Sequence, residues 1–79
     1  MSNFNEDQMI FSFQDNGDVY EMIDGVEGKY VGRIDSDSDW RPVDGCQYSE
    51  SEIRDDLENQ VDYFDDWNWS EDFLAFMKG

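Results

Sequence analysis

Apolar and polar residues alternate along the first part of the chain and recur at helical spacing toward its end. Met9-Ile10-Phe11-Ser12-Phe13-Gln14 puts Met9, Phe11 and Phe13 on one side of an extended segment, the two-residue period of a half-buried strand. Asp15-Asn16-Gly17-Asp18 interrupts it, and its Asn-Gly pair suits the positive φ angles of a hairpin. Val19 to Ile23 reads as a second strand. Asp24-Gly25-Val26-Glu27-Gly28 reads as the next turn, and Lys29 to Ile34 as a third strand. These segments predict a three-stranded antiparallel meander, preceded by a frayed start over residues 1–7.

The pattern then changes. Asp35 to Gly45, rich in Asp and Ser and holding Pro42, reads as a loop. Ser49-Glu50-Ser51-Glu52 has the form of a capping box that opens a helix, with Ser49 as the cap and Glu52 at the third helical position. Ile53, Leu57, Val61 and Phe64 follow at spacings of four, four and three, an apolar stripe suited to lying on a sheet. This helix is expected to stop near Trp67. A short second helix begins at Ser70, with Phe73, Leu74, Phe76 and Met77 as core or docking residues. The expected architecture is α+β, one domain over residues 1–79: a three-stranded antiparallel meander packed by one amphipathic helix, with a short C-terminal helix.

Charge sharpens this picture. The chain of 79 residues carries 21 Asp and Glu against five Lys and Arg, has no His, and has a formal net charge of −16. Self-repulsion of that size opposes compaction, and its return is solubility and electrostatic steering. High net charge also marks unfolded chains. Here, however, 38% of residues are apolar and 16% aromatic, enough to supply a small core. Direct binding to nucleic acid or to an anionic membrane is disfavoured, since both reward positive charge. The expected partner is a basic, nucleic-acid-binding protein or complex. Cys46 is the only cysteine, so no internal disulfide is available. The N-terminal residues lack a basic region followed by an apolar run. Both observations point to a reducing cytoplasm, which leaves the Asn68-Trp69-Ser70 sequon without meaning.

The acids concentrate on the helix. Asp55, Asp56, Glu58, Asp62, Asp65 and Asp66 join Glu52 there, against the single base Arg54. Like charges at three- or four-residue spacing recur along it, from Glu52–Asp55 to Asp62–Asp66, each costing about 0.2–0.5 kcal/mol before salt screening. Asp62, Asp65 and Asp66 also crowd the negative end of the helix dipole. A marginally stable fold that tolerates such an arrangement is expected to use it as a binding surface. Carboxylates one helical turn apart lie roughly 5–6 Å from each other. That is comparable with phosphate spacing on a nucleic-acid strand, so a groove lined with Lys and Arg could accept this surface in place of a phosphate backbone.

Three further features bear on function. Trp67 and Trp69 sit among Asp65, Asp66, Glu71 and Asp72; an exposed ring there would anchor an interface, whereas buried rings would belong to the core. Trp40 is a weaker candidate of the same kind. Asp35, Asp37 and Asp39 have the spacing that begins a calcium loop. The sixth and twelfth positions of that pattern, however, hold Trp40 and Cys46 instead of Gly and Glu. These acids are therefore read as an extension of the helix surface, with no metal assigned. No enzyme is expected. The commonest general base is missing, Cys46 has acidic neighbours that blunt its thiolate, and the glycines from Gly25 to Gly32 lack phosphate-loop spacing.

Size, charge, absence of cysteine staples and absence of catalytic residues together resemble phage-encoded acidic anti-defence proteins, namely anti-restriction DNA mimics and acidic anti-CRISPR proteins. The resemblance is one of composition and architecture over the whole chain and carries no motif. It implies an inhibitor in a bacterial host cytoplasm that occupies the nucleic-acid groove of a defence nuclease or CRISPR surveillance complex; no cofactor is expected, and the chain is expected to be a monomer or a small homo-oligomer. Asp55, Glu58, Asp62, Asp65, Asp66, Trp67, Trp69, Asp35, Asp37 and Asp39 are the expected partner-binding residues on the reading of charge given above. The alternatives are an immunity- or antitoxin-type inhibitor of a basic toxic nuclease, and a small calcium-binding module.

Overall fold

The computed structural model describes residues 8–78, so the frayed start expected over residues 1–7 lies outside it. The fold is α+β. Four strands, β1 (Phe11–Phe13), β2 (Asp18–Ile23), β3 (Val26–Ile34) and β4 (Trp40–Pro42), form an antiparallel sheet in sequence order, followed by α1 (Glu50–Tyr63) and α2 (Glu71–Lys78).

The hairpins follow from local turn chemistry. Asn16 accepts from the Asp18 amide through its side chain at 3.0 Å, and the Gly17 amide donates to the Gln14 carbonyl at 2.9 Å. Asp24 and Gly25 both have positive φ, 53° and 77°, so the β2–β3 connection is a two-residue loop of the type whose twist matches the strands. The turn expected to run to Gly28 is accordingly shorter, and β3 begins at Val26 instead of Lys29. Further along, the register slips between the pairs Val19–Gly32 and Tyr20–Tyr30. This bulge brings both Val31 and Ile34 into the core, although simple alternation would put them on opposite faces. Gly32, at φ 154°, makes it possible: a Cβ there would stand 2.6 Å from the Arg41 carbonyl oxygen.

The sheet has one strand more than expected. β4 falls within the segment read as a loop, because three residues ending in proline carry little strand signal. Pro42 is tolerated because β4 is an edge strand. It pairs with Gly32, and the following Val43 amide reaches the Val31 carbonyl at 3.1 Å.

Ser49 caps α1, its hydroxyl accepting from the Glu52 amide at 3.3 Å, the first half of the expected capping box. The helix ends at Tyr63, a turn short of Trp67. No base lies in its last turn, and Asp65 and Asp66 would extend a carboxylate run into the negative pole of the helix. Phe64 instead becomes the C-cap, and Trp67 folds back to stack on it at 4.2 Å between centroids.

Of the expected stripe, Ile53, Leu57 and Phe64 are buried and Val61 is partly so. They share the inner face with Asp56 and Gln60, which are 3% and 1% exposed. β1 is the sheet's other edge, and these two side chains cover it. Asp56 Oδ2 accepts from the Phe11 amide at 3.1 Å, and Gln60 Nε2 donates to the Phe11 carbonyl at 2.6 Å. Gln60 also donates to Asp56 at 2.7 Å, so α1 presents an acceptor and a donor where a neighbouring strand would. Asp56 therefore leaves the solvent-facing acids among which its position in the charge run had placed it. The core is completed by Phe11, Val19, Phe73 and Phe76, with Tyr48 edge-on to Phe11 at 4.8 Å.

Candidate functional site

α1 separates its residues by face. With Ile53, Asp56, Leu57 and Gln60 turned inward, Glu52, Asp55, Glu58 and Asp62 fall on an arc of about 120° on the far side and are exposed. The turn after the helix continues the series with Asp65 and Asp66, also exposed. None of these carboxylates forms an ion pair among the described residues. The one base on the helix faces elsewhere. Arg54 pairs with Glu50 at 3.0 Å, lies over the Phe76 ring at 4.9 Å, and donates to the Phe76 carbonyl at 3.3 Å. It thus satisfies a carbonyl in the last turn of α2 and neutralises none of the acids on the outer face.

Trp67 and Trp69 separate in role. Trp67 is 56% exposed, stacked on Phe64 and 6.1 Å from Trp69 in a near-parallel arrangement. Trp69 is partly buried against the core and donates from Nε1 to the Phe64 carbonyl at 3.0 Å. An exposed indole flanked by Asp65 and Asp66 therefore rests on a fixed second indole. Trp40 differs: it packs against the core, and its ring nitrogen is buried with no hydrogen-bond partner among the described residues.

The Asp35–Asp39 segment closes on itself. Asp35 accepts from the Asp37 amide at 3.0 Å and the Asp39 amide at 3.4 Å, and Ser38 adopts φ 64°. Carboxylate oxygens of Asp35, Asp37 and Asp39 come within 4.8 Å of one another. A cation already stands beside them: the Arg41 guanidinium bonds Asp35, lies 3.7 Å from Asp39, and holds the Asp35 carboxyl below its ordinary pKa. Asp37 and Asp39 are exposed and Asp35 is half-buried.

The chain topology gathers these segments. The Ile34 amide donates to the Gly17 carbonyl at 2.9 Å, which places the Asp35–Asp39 loop beside the β1–β2 turn. Phe13, at the end of β1, and Asp15, from that turn, line one cavity with Trp67 and Trp69. The β1–β2 turn thus touches both segments, the Asp35–Asp39 loop through Gly17 and the Trp67–Trp69 segment through the cavity lined by Asp15, while Asp55, Glu58 and Asp62 lie along α1. Sequence reasoning missed Asp15; its only signal was a turn position, and the cavity it lines joins it to Trp67 and Trp69, more than fifty positions later in the chain.

The surroundings of Tyr48 are built differently. Tyr48 donates to Glu21 at 2.6 Å, and this bond together with burial pushes its phenol up to about 12. The Cys46 thiol points at the Tyr48 carbonyl at 3.8 Å. A phenol held protonated beside a carboxylate stabilises structure and does not favour proton abstraction. No helix among the described residues is long and apolar enough to cross a membrane. No family model, curated protein or solved structure matches this chain.

Proposed function

We propose that this protein is an acidic inhibitor that binds the nucleic-acid groove of a basic partner protein and stands in for a phosphate backbone. The observation that carries this reading is the outer face of α1. Glu52, Asp55, Glu58 and Asp62, with Asp65 and Asp66 beyond, are exposed and without ion pairs among the described residues, while Arg54 is turned to α2. A structural role for these acids would call for bases interleaved with them. Trp67, exposed at the end of the row, supplies a rigid aromatic anchor of the kind that dominates interface energetics. The partner class that the compositional resemblance suggests is a bacterial defence nuclease or CRISPR surveillance complex, met in the host cytoplasm. An immunity-type inhibitor of a toxic nuclease would use the same surface, and the origin of the partner separates the two.

Binding of this kind is steered by charge and weakens as salt is added. The test is capture from bacterial lysate on the tagged protein, with identification by mass spectrometry. A nucleic-acid-binding protein retained at low salt and displaced by duplex DNA supports mimicry. A retained protein that duplex DNA and duplex RNA both fail to displace contradicts it.

A further inference from the structure

The segment leaving α1 folds back on the sheet. Trp67 and Trp69, with Phe13, Phe73, Asn68, Ser70 and Asp15, line a half-open cavity of about 180 Å³. Four of its seven lining residues are aromatic: Phe13 meets Phe73 edge to face at 5.3 Å, and the two indoles lie 6.1 Å apart with 29° between their planes. One carboxylate joins them. Asp15 is exposed and makes no hydrogen bond or ion pair among the described residues.

Aromatic faces and a carboxylate select the same class of ligand. A ring attracts a cation placed within about 6 Å of its centroid, and a carboxylate receives N–H donors. An anion is disfavoured by Asp15. The N-terminus of α2, which opens on this cavity, is capped by Ser70 and carries Glu71 and Asp72 in its first turn, so its dipole is already answered. A neutral apolar group would cover the rings but leave Asp15 desolvated without a counter-charge. The volume lies below the roughly 300–1,000 Å³ of small-molecule sites, a size suited to one side chain.

We infer, building on the basic-partner reading, that this cavity receives a single arginine side chain of the partner. The guanidinium stacks on the indole pair and its N–H fork meets the Asp15 carboxylate. Arginine is favoured over lysine because its planar, weakly hydrated head matches both the ring face and the carboxylate, whereas a compact ammonium must first lose tightly held water. Asp65 and Asp66, on the turn that leads to Trp67, attract the cation without contacting it.

The test uses the full chain with N-acetyl-arginine amide, N-acetyl-lysine amide and neutral N-acetyl-norleucine amide as probes. Binding is followed at the indole N–H resonances of Trp67 and Trp69, at about 150 mM salt to screen diffuse attraction. Saturable binding of the arginine probe, tighter than that of lysine and absent for norleucine, is expected. Trp67→Ala and Asp15→Asn should each weaken it about five-fold, the factor that corresponds to about 1 kcal/mol. Both positions are exposed, and the packing lost is confined to the stack of Trp67 on Phe64, so Asp15→Asn serves as the variant that leaves the apolar contacts intact. A linear response, equal affinity for lysine, or undiminished binding by both variants overturns the inference. The captured partner separates the two ideas. If reversal of Asp62, Asp65 and Asp66 releases it while Trp67→Ala with Asp15→Asn does not, the cavity is excluded and the carboxylate surface stands. If the arginine probe saturates yet no DNA-displaced protein is captured, the cavity stands and mimicry falls.

Discussion

Replacing Asp56 by alanine removes the acceptor that covers the free edge of β1. The carboxylate receives the Phe11 amide at 3.1 Å, the Ile10 amide at 3.5 Å and Gln60 Nε2 at 2.7 Å. Hydrogen bonds to charged groups contribute about 1.5–3 kcal/mol each, and a buried donor left without a partner costs about 1–3 kcal/mol. Against this stands the penalty of holding a carboxylate away from water, which raises the Asp56 pKa above its ordinary value. The balance is a loss of about 2 kcal/mol for Asp56→Ala. For a chain of this size that lowers Tm by roughly 8–16 °C. Asp56→Asn keeps an amide oxygen where Oδ2 accepts from Phe11 and Gln60, so it should lose less than half as much.

The pH dependence has a definite sign. A carboxyl whose folded pKa is raised binds protons more tightly in the folded state. It therefore favours folding at low pH, and that advantage is lost as pH rises from the ordinary 3.8 through the folded value. Urea denaturation of the wild type, Asp56→Ala and Asp56→Asn across this window measures it, read as the midpoint at constant slope. The stability of the wild type relative to Asp56→Asn should decline with rising pH and level off above the folded pKa. An Asp56→Ala midpoint equal to that of the wild type would refute the edge-covering role. A wild-type-to-Asn difference independent of pH would refute the assignment of the raised pKa.

Other perturbations read other parts of the fold. Asp62→Lys should raise stability by about 0.5–1 kcal/mol, because it places a base four residues after Glu58 and near the negative helix end; a lowered urea midpoint would contradict this. Arg54→Ala should cost about 1–2 kcal/mol through loss of the Phe76 contacts and the Glu50 pair. Amide exchange in α2 should then quicken more than in β2 and β3, and equal changes throughout would count against a local clamp. Because Arg41 already neutralises Asp35, millimolar calcium should shift Tm no more than magnesium does. A calcium-specific rise would restore the metal-binding reading of the Asp35–Asp39 loop.

Much of the fold was legible because its signals are local. Asn16-Gly17 announces the first hairpin, with Gly17 taking the positive φ, and Ser49 announces α1 through its hydroxyl; the second turn is three residues shorter than expected, since Asp24-Gly25 suffice to make it. β4 was hidden because three residues ending in proline carry little strand signal of their own, and the partner of Pro42, Gly32, lies ten residues earlier. Asp56 and Gln60 were illegible for another reason. A carboxylate and an amide on the apolar face look like solvated positions until the unpaired groups of β1 are brought against them. The exposed acids of α1 followed from helical period alone, since residues opposite Ile53 and Leu57 must face outward. The cavity at Trp67 could not be read, because it needs Phe13 and Asp15 from the far end of the chain.

The most direct test of the central claim is the affinity of the captured partner for the wild type and for the triple variant Asp62→Lys, Asp65→Lys, Asp66→Lys, measured at low and raised salt. The expected result is a folded variant, no less stable than the wild type, that has lost most of its binding, together with a wild-type affinity that falls steeply with salt. Unchanged affinity in a folded triple variant, or binding indifferent to salt, would contradict it.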